Sequence, residues 1–265
     1  RFARENVLTV ADVDVERLLS QRRSNMSFEN SNDKIKYIKL NLENINNDLE
    51  NRFVDSMPFV PSDNEKRAQR CKEIFAIQAS GLAKRIEHVG SNGVVVGISG
   101  GLDSTLALLV SVSAMKLLGK NNSDILGVTM PGFGTTDRTY QNAIDLMKSL
   151  GVTIKEISIK DACVLHMKDI EHDSLVKDIT YENTQARERT QILFDLANKH
   201  GKLLVGTGDL SELAMGWCTY NGDHMSMYGV NASVPKTLVK YLVEYVANVS
   251  DKKTADILFD VLDTP

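Results

Sequence analysis

The stretch Val94–Ser104 constrains the fold of this chain more than any other, because it reads as a buried strand, a tight glycine turn and the start of a helix. Residues 94–98 are apolar and mostly β-branched, which is typical of a strand buried on both faces. From Thr105 to Leu118 there is neither proline nor glycine, and apolar residues recur at helical spacing. The pair Gly100–Gly101 lets the backbone approach a ligand closely. The free amides at such a helix start favour an anion, and a phosphate is the expected occupant.

The carboxylate of Asp103 indicates what kind of phosphate site this is. A Walker A loop ends in Gly-Lys-Ser/Thr, and no lysine lies between Val94 and Met115. A carboxylate repels a phosphate unless a divalent cation lies between them, and Mg²⁺ is the usual choice. The alternative is an ordinary strand-to-helix turn in which Asp103 and Ser104 cap the helix.

A second glycine-containing loop, Gly206–Glu212, follows a predicted strand at residues 202–205. Its glycines permit close backbone approach, and its threonine offers a hydroxyl. Ligands of parallel sheets bind beyond the carboxyl ends of the strands. Glu212 is therefore placed to face Asp103 and to complete a Mg²⁺ site. The alternative is a glycine turn in which Asp209 caps a short helix.

The helix predicted over residues 184–200 opens with an amide and a guanidinium on one face. Asn183 and Arg187 are four residues apart, so their side chains are neighbours. Together they suit a ligand that carries phosphate and ribose. The alternative is a charged face exposed to solvent.

An aromatic, polar segment covers residues 216–229 and contains the single tryptophan of the chain, with two tyrosines and three glycines. Such a loop suits the stacking of a flat ring. The alternative is a surface loop in which Trp217 is a buried anchor. His224 alone indicates nothing beyond a hydrogen-bonded structural histidine.

Predicted strands and helices alternate along the chain. This order is typical of right-handed βαβ units, and it predicts an α/β fold with a doubly wound parallel sheet and helices on both faces. The predicted strands are 94–98, 125–130, 153–159 and 202–205.

Composition excludes several classes of protein. The 265 residues carry a net charge of −4, so bulk electrostatics predict no nucleic-acid partner. The three cysteines are widely spaced and form no CxxC pair, so neither a zinc site nor a disulfide framework is indicated, and a cytoplasmic setting is expected. No apolar run reaches about 18 residues, the length that spans a membrane.

The string SGGLDS at residues 99–104 resembles the pyrophosphate loop of the ATP pyrophosphatase superfamily, whose members cleave ATP between the α- and β-phosphates. Three further strings narrow the resemblance: ENTQARERT, GTGDLSELAMGW and TYNGDHMSMYGVN. With these, roughly residues 60–265 resemble the synthetase domain of glutamine-dependent NAD⁺ synthetases.

The resemblance implies a set of site residues. ATP is expected at Gly97, Ile98, Ser99, Gly100, Gly101, Leu102, Asp103, Ser104 and Thr207. Mg²⁺ is expected at Asp103 and Glu212, which would be the catalytic residues. Deamido-NAD⁺ is expected at Asn183, Arg187, Glu212, Trp217, Cys218, Thr219 and Tyr220.

The resemblance also implies the reaction. The carboxylate of deamido-NAD⁺ would be adenylated by ATP with release of pyrophosphate, and ammonia derived from glutamine would then displace AMP. The family is built on a synthetase dimer, so a homo-oligomer is expected. Two alternatives stay open: another amidating or thiolating ATP pyrophosphatase, and a non-catalytic module that binds adenine nucleotides.

The resemblance extends to the domain boundaries. Residues 1–25 resemble the tail of a nitrilase-like glutaminase domain, and their pattern predicts a strand over Val7–Val15 followed by a polar helix. Residues 26–60, which are rich in Asn, Asp, Glu and Lys over 26–57, are expected to be a connector. Residues 61–265 would be the synthetase domain, truncated before a lysine that the family uses nearer its C-terminus.

Overall fold

A computed structural model describes residues 8, 10–25, 27, 36, 38–39, 54–134 and 136–264. The chain divides into two units, Arg1–Pro58 and Phe59–Pro265. In the first unit, α1 spans Val15–Ser24, and its N-cap Asp14 accepts a hydrogen bond from the amide of Arg17. The predicted polar helix is thus confirmed. The prediction of a strand before this helix is wrong for the described residues 8 and 10–14, which have no regular structure.

The second unit is an α/β fold built on a five-stranded parallel sheet, which confirms the predicted fold class. The spatial order of the strands is β3-β2-β1-β4-β5. The strands are β1 Val94–Gly97, β2 Ile125–Thr129, β3 Thr153–Glu156, β4 Leu203–Gly206 and β5 Tyr228–Gly229. The helices are α2 Asn64–Val89, α3 Leu102–Leu117, α4 Asp137–Ser149, α5 Lys160–Asp169, α6 Ile179–His200, α7 Leu210–Met215, α8 Lys236–Val249 and α9 Lys252–Leu262.

Helices cover both faces of the sheet, which confirms the doubly wound prediction. Successive side chains of a strand point to opposite faces. Accordingly, Val94 and Val96 belong to a core shared with α2, α3, α4, α8 and α9. Val95 belongs to a second core shared with α5 and α6. The continuous apolar run of β1 is therefore explained by burial on both sides.

The strand β5 was missed by the sequence analysis, which treated its residues as part of an aromatic loop. It pairs with β4 through only two residue pairs, Val205 with Tyr228 and Gly206 with Gly229. A strand of two residues is too short to show the period-two pattern by which strands are recognised.

The helix α3 is the most buried helix of the unit, and ten of its residues are buried. The predicted helix is confirmed, but its burial does not follow a single apolar face, because residues 104–111 are all buried whereas Leu117 is 61% exposed. Among the described residues, however, no helix is both long and apolar enough to span a bilayer.

The order of the strands places two loops side by side. From β1 the chain proceeds outward through β2 to β3, and it then returns to the opposite side of β1 to form β4 and β5. The loops that follow β1 and β4 therefore meet at the carboxyl edge of the sheet, where the direction of winding reverses. Ligands of open α/β sheets bind at this position.

Gly100 fixes the path of the loop after β1. Its φ of +87° lies in a region that residues with a Cβ rarely adopt. A Cβ at this position would also overlap the backbone carbonyl oxygen of Thr139, at the start of α4. The loop is therefore packed directly against α4, and only glycine fits.

We expect Gly100→Ala to lower the free energy of unfolding by about 2–3 kcal/mol, because it combines a left-handed φ with a steric overlap against backbone. Gly134→Ala is the matched control, since no atom lies within 4 Å of a Cβ built there. Urea unfolding of both variants is the measurement. Equal stability of the two variants would contradict this account of the loop.

Candidate functional site

Two serines shape the loop between β1 and α3. Ser99 Oγ accepts a hydrogen bond from the amide of Gly101 at 3.3 Å and lies 3.1 Å from Ser104 Oγ. Ser104 Oγ donates to the carbonyl of Gly101 at 3.1 Å. The N-cap of α3 is Gly101, which offers no side-chain cap. The alternative in which Asp103 and Ser104 cap the helix is therefore wrong, because both residues lie inside the first turn.

Three carboxylates meet where this loop faces the loop after β4. They belong to Asp103, Asp209 and Glu212, and one oxygen of each lies within 4.8 Å of the others. Asp209 and Glu212 form a capping box at the start of α7. The amide of Glu212 donates to Asp209 Oδ1 at 3.0 Å, and the amide of Asp209 donates to Glu212 Oε2 at 3.2 Å. Each carboxylate thus uses one oxygen for the cap and keeps the other for the cluster.

Lys236, the first residue of α8, is the cation of the cluster. Its ammonium forms an ion pair with Asp103 Oδ2. It also lies 3.4 Å from Asp209 Oδ2 and 3.6 Å from Glu212 Oε1. One positive charge therefore faces three carboxylates, and the cluster retains an excess of negative charge.

Burial and mutual repulsion shift the titration of these groups. Burial raises the pKa of Asp103 against the opposing effect of Lys236, and Asp209 raises it further. Burial also raises the pKa of Glu212, to which the charges of Asp103 and Asp209 add. For Lys236, burial alone would lower the pKa, but the hydrogen bond and charge of Asp103 raise it. The site favours added positive charge.

The unused oxygens fit a hard divalent cation. Asp103 Oδ1 and Asp209 Oδ2 are buried, and neither accepts a hydrogen bond from any residue that the structure describes. The side chain of Asp209 is fully buried. Buried carboxylate oxygens without donors are costly unless a cation compensates them. Because all the free ligand atoms are oxygens, the cluster suits Mg²⁺.

A cavity of about 640 Å³ opens beside the cluster, within the range of sites for small molecules. Its lining includes many of the residues predicted from the sequence. These are Gly97, Ile98, Ser99, Asp103, Ser104, Thr207, Glu212 and Cys218. Gly100, Gly101 and Leu102, which were also predicted to bind ATP, are not among its lining residues.

The face of α6 that lines the cavity is not the one that the sequence analysis selected. Gln185 and Arg189 line it, whereas Asn183 and Arg187 do not. Asn183 Oδ1 instead accepts a hydrogen bond from Thr219 Oγ1 at 2.9 Å. Arg187 Nε donates to the carbonyl of Tyr220 at 3.2 Å. These two residues therefore hold the segment after α7 against α6, and their predicted contact with deamido-NAD⁺ stays a prediction.

Two aromatic residues of the segment after α7 face solvent. Trp217 is 77% exposed and Tyr220 is 75% exposed. The alternative in which Trp217 is a buried anchor is therefore wrong. His224 Nδ1 lies 2.8 Å from the carbonyl of Thr219, so this nitrogen carries the proton. The histidine has the structural role expected for it.

Comparison with known proteins shows the family of this chain. A model of the NAD synthase family matches residues 74–255, which is more than half of the chain. The chain belongs to the NAD synthase family. The glutamine-dependent NAD⁺ synthetase of Mycobacterium leprae is 44% identical over 279 aligned positions, covering 100% of this chain and 41% of that protein. The NH₃-dependent NAD⁺ synthetase of Pyrobaculum aerophilum is 37% identical over 142 positions, covering 54% of this chain and 51% of that protein.

A solved NAD synthetase structure has the same fold. It is the glutamine-dependent NAD⁺ synthetase of Acinetobacter baumannii in complex with ADP, with a TM-score of 0.66 and 30% identity. The match covers 71% of this chain and 35% of that one. This NAD synthase chain thus spans about two fifths of the length of the mycobacterial relative and about a third of that structure.

Sequence reasoning missed Lys236 and treated Asp209 only as a possible helix cap. A signal for Lys236 was present, because it follows Pro235 at the start of α8, where the helix dipole disfavours a cation. A lysine in that position is explained by a negative partner elsewhere in the fold. For Asp209, the cap and the cluster are both real, since the two functions use different oxygens.

Asp103→Asn should stabilise the chain at alkaline pH in buffer that contains EDTA. Because the pKa of Asp103 is raised in the folded chain, the folded state binds the proton more tightly than the unfolded state. Stability from this group is fully present at low pH and is lost as the pH rises through the raised pKa. At pH 8 we therefore expect a higher melting temperature for the variant than for wild type.

The difference should close as the pH approaches 4, where a protonated Asp103 resembles asparagine. Asp256→Asn, which alters an exposed carboxylate of α9, is the control and should match wild type at every pH. Thermal melts across pH 4–8 measure the effect. A lower melting temperature for Asp103→Asn at pH 8 would mean that the cluster is not under electrostatic strain.

Proposed function

We propose that this chain catalyses the ATP-dependent amidation of deamido-NAD⁺ to NAD⁺, with release of AMP and pyrophosphate. The observation that carries the proposal is the cluster of Asp103, Asp209, Glu212 and Lys236 beside the free N-terminus of α3. Family membership and the names of the relatives support the choice of substrate.

The triphosphate of ATP would lie over the loop between β1 and α3. The amides of the first turn of α3 and the hydroxyls of Ser99 and Ser104 can hold the β- and γ-phosphates there. Asp103, Asp209 and Glu212 would hold Mg²⁺, which when bound neutralises phosphate charge and polarises the α-phosphate. Lys236 can move from the carboxylates to the phosphates without a change in its charge.

In the first step, a carboxylate oxygen of deamido-NAD⁺ attacks the α-phosphorus of ATP. The bond from that phosphorus to the bridging oxygen breaks, and pyrophosphate leaves with the bonding electrons. Negative charge develops on the β-phosphate, where the amides of α3 and, after it moves from the carboxylates, Lys236 would stabilise it. Preorganised donors of this kind supply most of the rate enhancement in such reactions.

In the second step, ammonia attacks the carbonyl carbon of the adenylate. The carbon–oxygen bond to AMP breaks, a proton leaves the nitrogen, and the amide of NAD⁺ forms. AMP therefore departs with one oxygen that came from the substrate carboxylate. This chemistry requires no covalent attachment to a side chain, in keeping with a site made of carboxylates, hydroxyls and an ammonium.

Glutamine is the proposed source of ammonia in the longer protein. The M. leprae relative, whose alignment covers 100% of this chain, is named glutamine-dependent. Residues 1–25 are proposed as the tail of a glutaminase domain, with 26–60 as connector and 61–265 as the synthetase domain. A homo-oligomer built on a synthetase dimer is proposed on the same family basis.

The test is isotopic. Deamido-NAD⁺ with both carboxylate oxygens labelled as ¹⁸O is incubated with ATP, MgCl₂, ammonium chloride and the chain. Mass spectrometry should find one ¹⁸O in AMP and one in NAD⁺, in equal amounts. Unlabelled AMP, or pyrophosphate release that does not depend on deamido-NAD⁺, would favour another ATP pyrophosphatase reaction.

Asp103→Asn should reduce the rate of labelled AMP formation at least about 10²-fold, because it removes a metal-facing charge and leaves the loop in place. Asp256→Asn should retain the wild-type rate. Absence of any reaction in the wild-type chain, together with tight ATP binding by calorimetry, would support the non-catalytic module instead.

A further inference from the structure

Asn231 is fully buried and lies behind the two loops of the site. Its Nδ2 donates two hydrogen bonds of 3.0 Å, one to the backbone carbonyl of Asp103 and one to that of Thr207. Its Oδ1 accepts a hydrogen bond of 3.1 Å from Gln78 Nε2, on α2. Asn231 is not part of the cavity lining, so it does not reach the space that a substrate would occupy.

The orientation of the Asn231 amide follows from its partners. A backbone carbonyl can only accept, so the nitrogen of Asn231 must face Asp103 and Thr207. Gln78 Nε2 also donates to the carbonyl of Val230 at 2.8 Å, which fixes the amide of Gln78 in turn. Both protons of Asn231 are therefore committed to the two loops of the site.

Strand pairing does not set the separation of these loops. The ladder between β1 and β4 ends at the pair Val96 and Val205. Asp103 and Thr207 lie beyond that point, Asp103 in the first turn of α3 and Thr207 on the loop after β4. In the described chain, the side chain of Asn231 is hydrogen-bonded to both loops and continues the connection where the ladder stops.

The residues after Asn231 hold the rest of the cluster. The carbonyl of Val234 accepts from the amide of Leu210 at 2.9 Å. The amide of Lys236 donates to Ser211 Oγ at 3.0 Å. The segment 231–236 is thus attached to the loop after β1, to the loop after β4 and to the first turn of α7, and it ends in the ammonium of the cluster.

We propose that Asn231 is a positioning residue that sets the distance between Asp103 and the pair Asp209–Glu212. The inference rests on the proposed function, because that distance matters only where the three carboxylates hold a divalent cation. Partners that orient metal ligands are worth about 10–100-fold in metal affinity or activity. Asn231 acts through backbone carbonyls, so its loss widens the site without removing a ligand.

The test compares Asn231→Ala with Gln78→Met in the full chain. Gln78→Met is the matched control, because it removes two hydrogen bonds from the same buried region but none to Asp103 or Thr207. Asn231→Leu, which keeps the side-chain volume, is the second variant if the smaller side chain prevents folding. Mn²⁺ binding is measured by the loss of the free-ion EPR signal, in the presence of a non-hydrolysable ATP analogue.

We expect the dissociation constant for Mn²⁺ to rise about 10-fold in both Asn231 variants and to stay at the wild-type value in Gln78→Met. In the amidation assay, kcat should fall in the Asn231 variants while KM for deamido-NAD⁺ stays unchanged. Equal Mn²⁺ affinity in wild type and the Asn231 variants would overturn the inference. An equal loss of affinity in Gln78→Met would also overturn it, because that variant keeps the hydrogen bonds from Asn231 to Asp103 and Thr207.

Different results would contradict the proposed function. If the wild-type chain binds no Mn²⁺, or if Asp103→Asn binds Mn²⁺ as tightly as wild type, then the cluster is not the cation site and the proposed function loses its support. Those results concern Asp103 and wild type, whereas the positioning role of Asn231 is judged by the difference between the Asn231 and Gln78 variants.

Discussion

The site depends on an electrostatic imbalance that the fold holds in place. Asp103, Asp209 and Glu212 face a single ammonium, that of Lys236, at a partly buried position. Repulsion between carboxylates is strong where solvent is excluded, so unrestrained side chains would move apart into water, which screens their charges. The chain prevents separation by building each group into a rigid element. The imbalance therefore persists in the described structure, and the proposed cation and phosphate would relieve it.

Two helix N-termini, those of α3 and α7, hold the three carboxylates close together. Asp103 lies in the first turn of α3, whose N-cap Gly101 leaves the helix end free for an anion. Asp209 and Glu212 cap α7 with one oxygen each and direct the other oxygen toward Lys236. A helix cap and a binding site are thus made from the same two side chains. Stability given up at such a cluster is commonly regained when the ligand binds.

Much of this arrangement could be predicted from the sequence. Patterns of apolar residues predicted the parallel sheet, because a strand buried on both faces has a continuous apolar run. The rule that ligands bind at the carboxyl ends of strands then brought Asp103 and Glu212 together. The four motif strings identified the family that the chain resembles. These inferences succeeded because each rests on local sequence or on a general property of parallel sheets.

The rest required three-dimensional structure. Lys236 and Asn231 lie far along the chain from Asp103, and the return of the chain through the short strand β5 brings them to the site. No local pattern encodes that path. On α6 the spacing of side chains was correct, but two faces carry polar residues. Only packing shows that Gln185 and Arg189 line the cavity while Asn183 and Arg187 hold the neighbouring segment.

The central claim is that the three carboxylates join a divalent cation to the phosphates of ATP. The most direct measurement is anomalous diffraction at the manganese edge, from crystals grown with Mn²⁺ and a non-hydrolysable ATP analogue. The account predicts an anomalous peak within about 2.5 Å of oxygens of Asp103 and Glu212 and of a phosphate oxygen. Bound nucleotide with no peak at these carboxylates, or with Lys236 still paired to Asp103 and no metal between them, would contradict it.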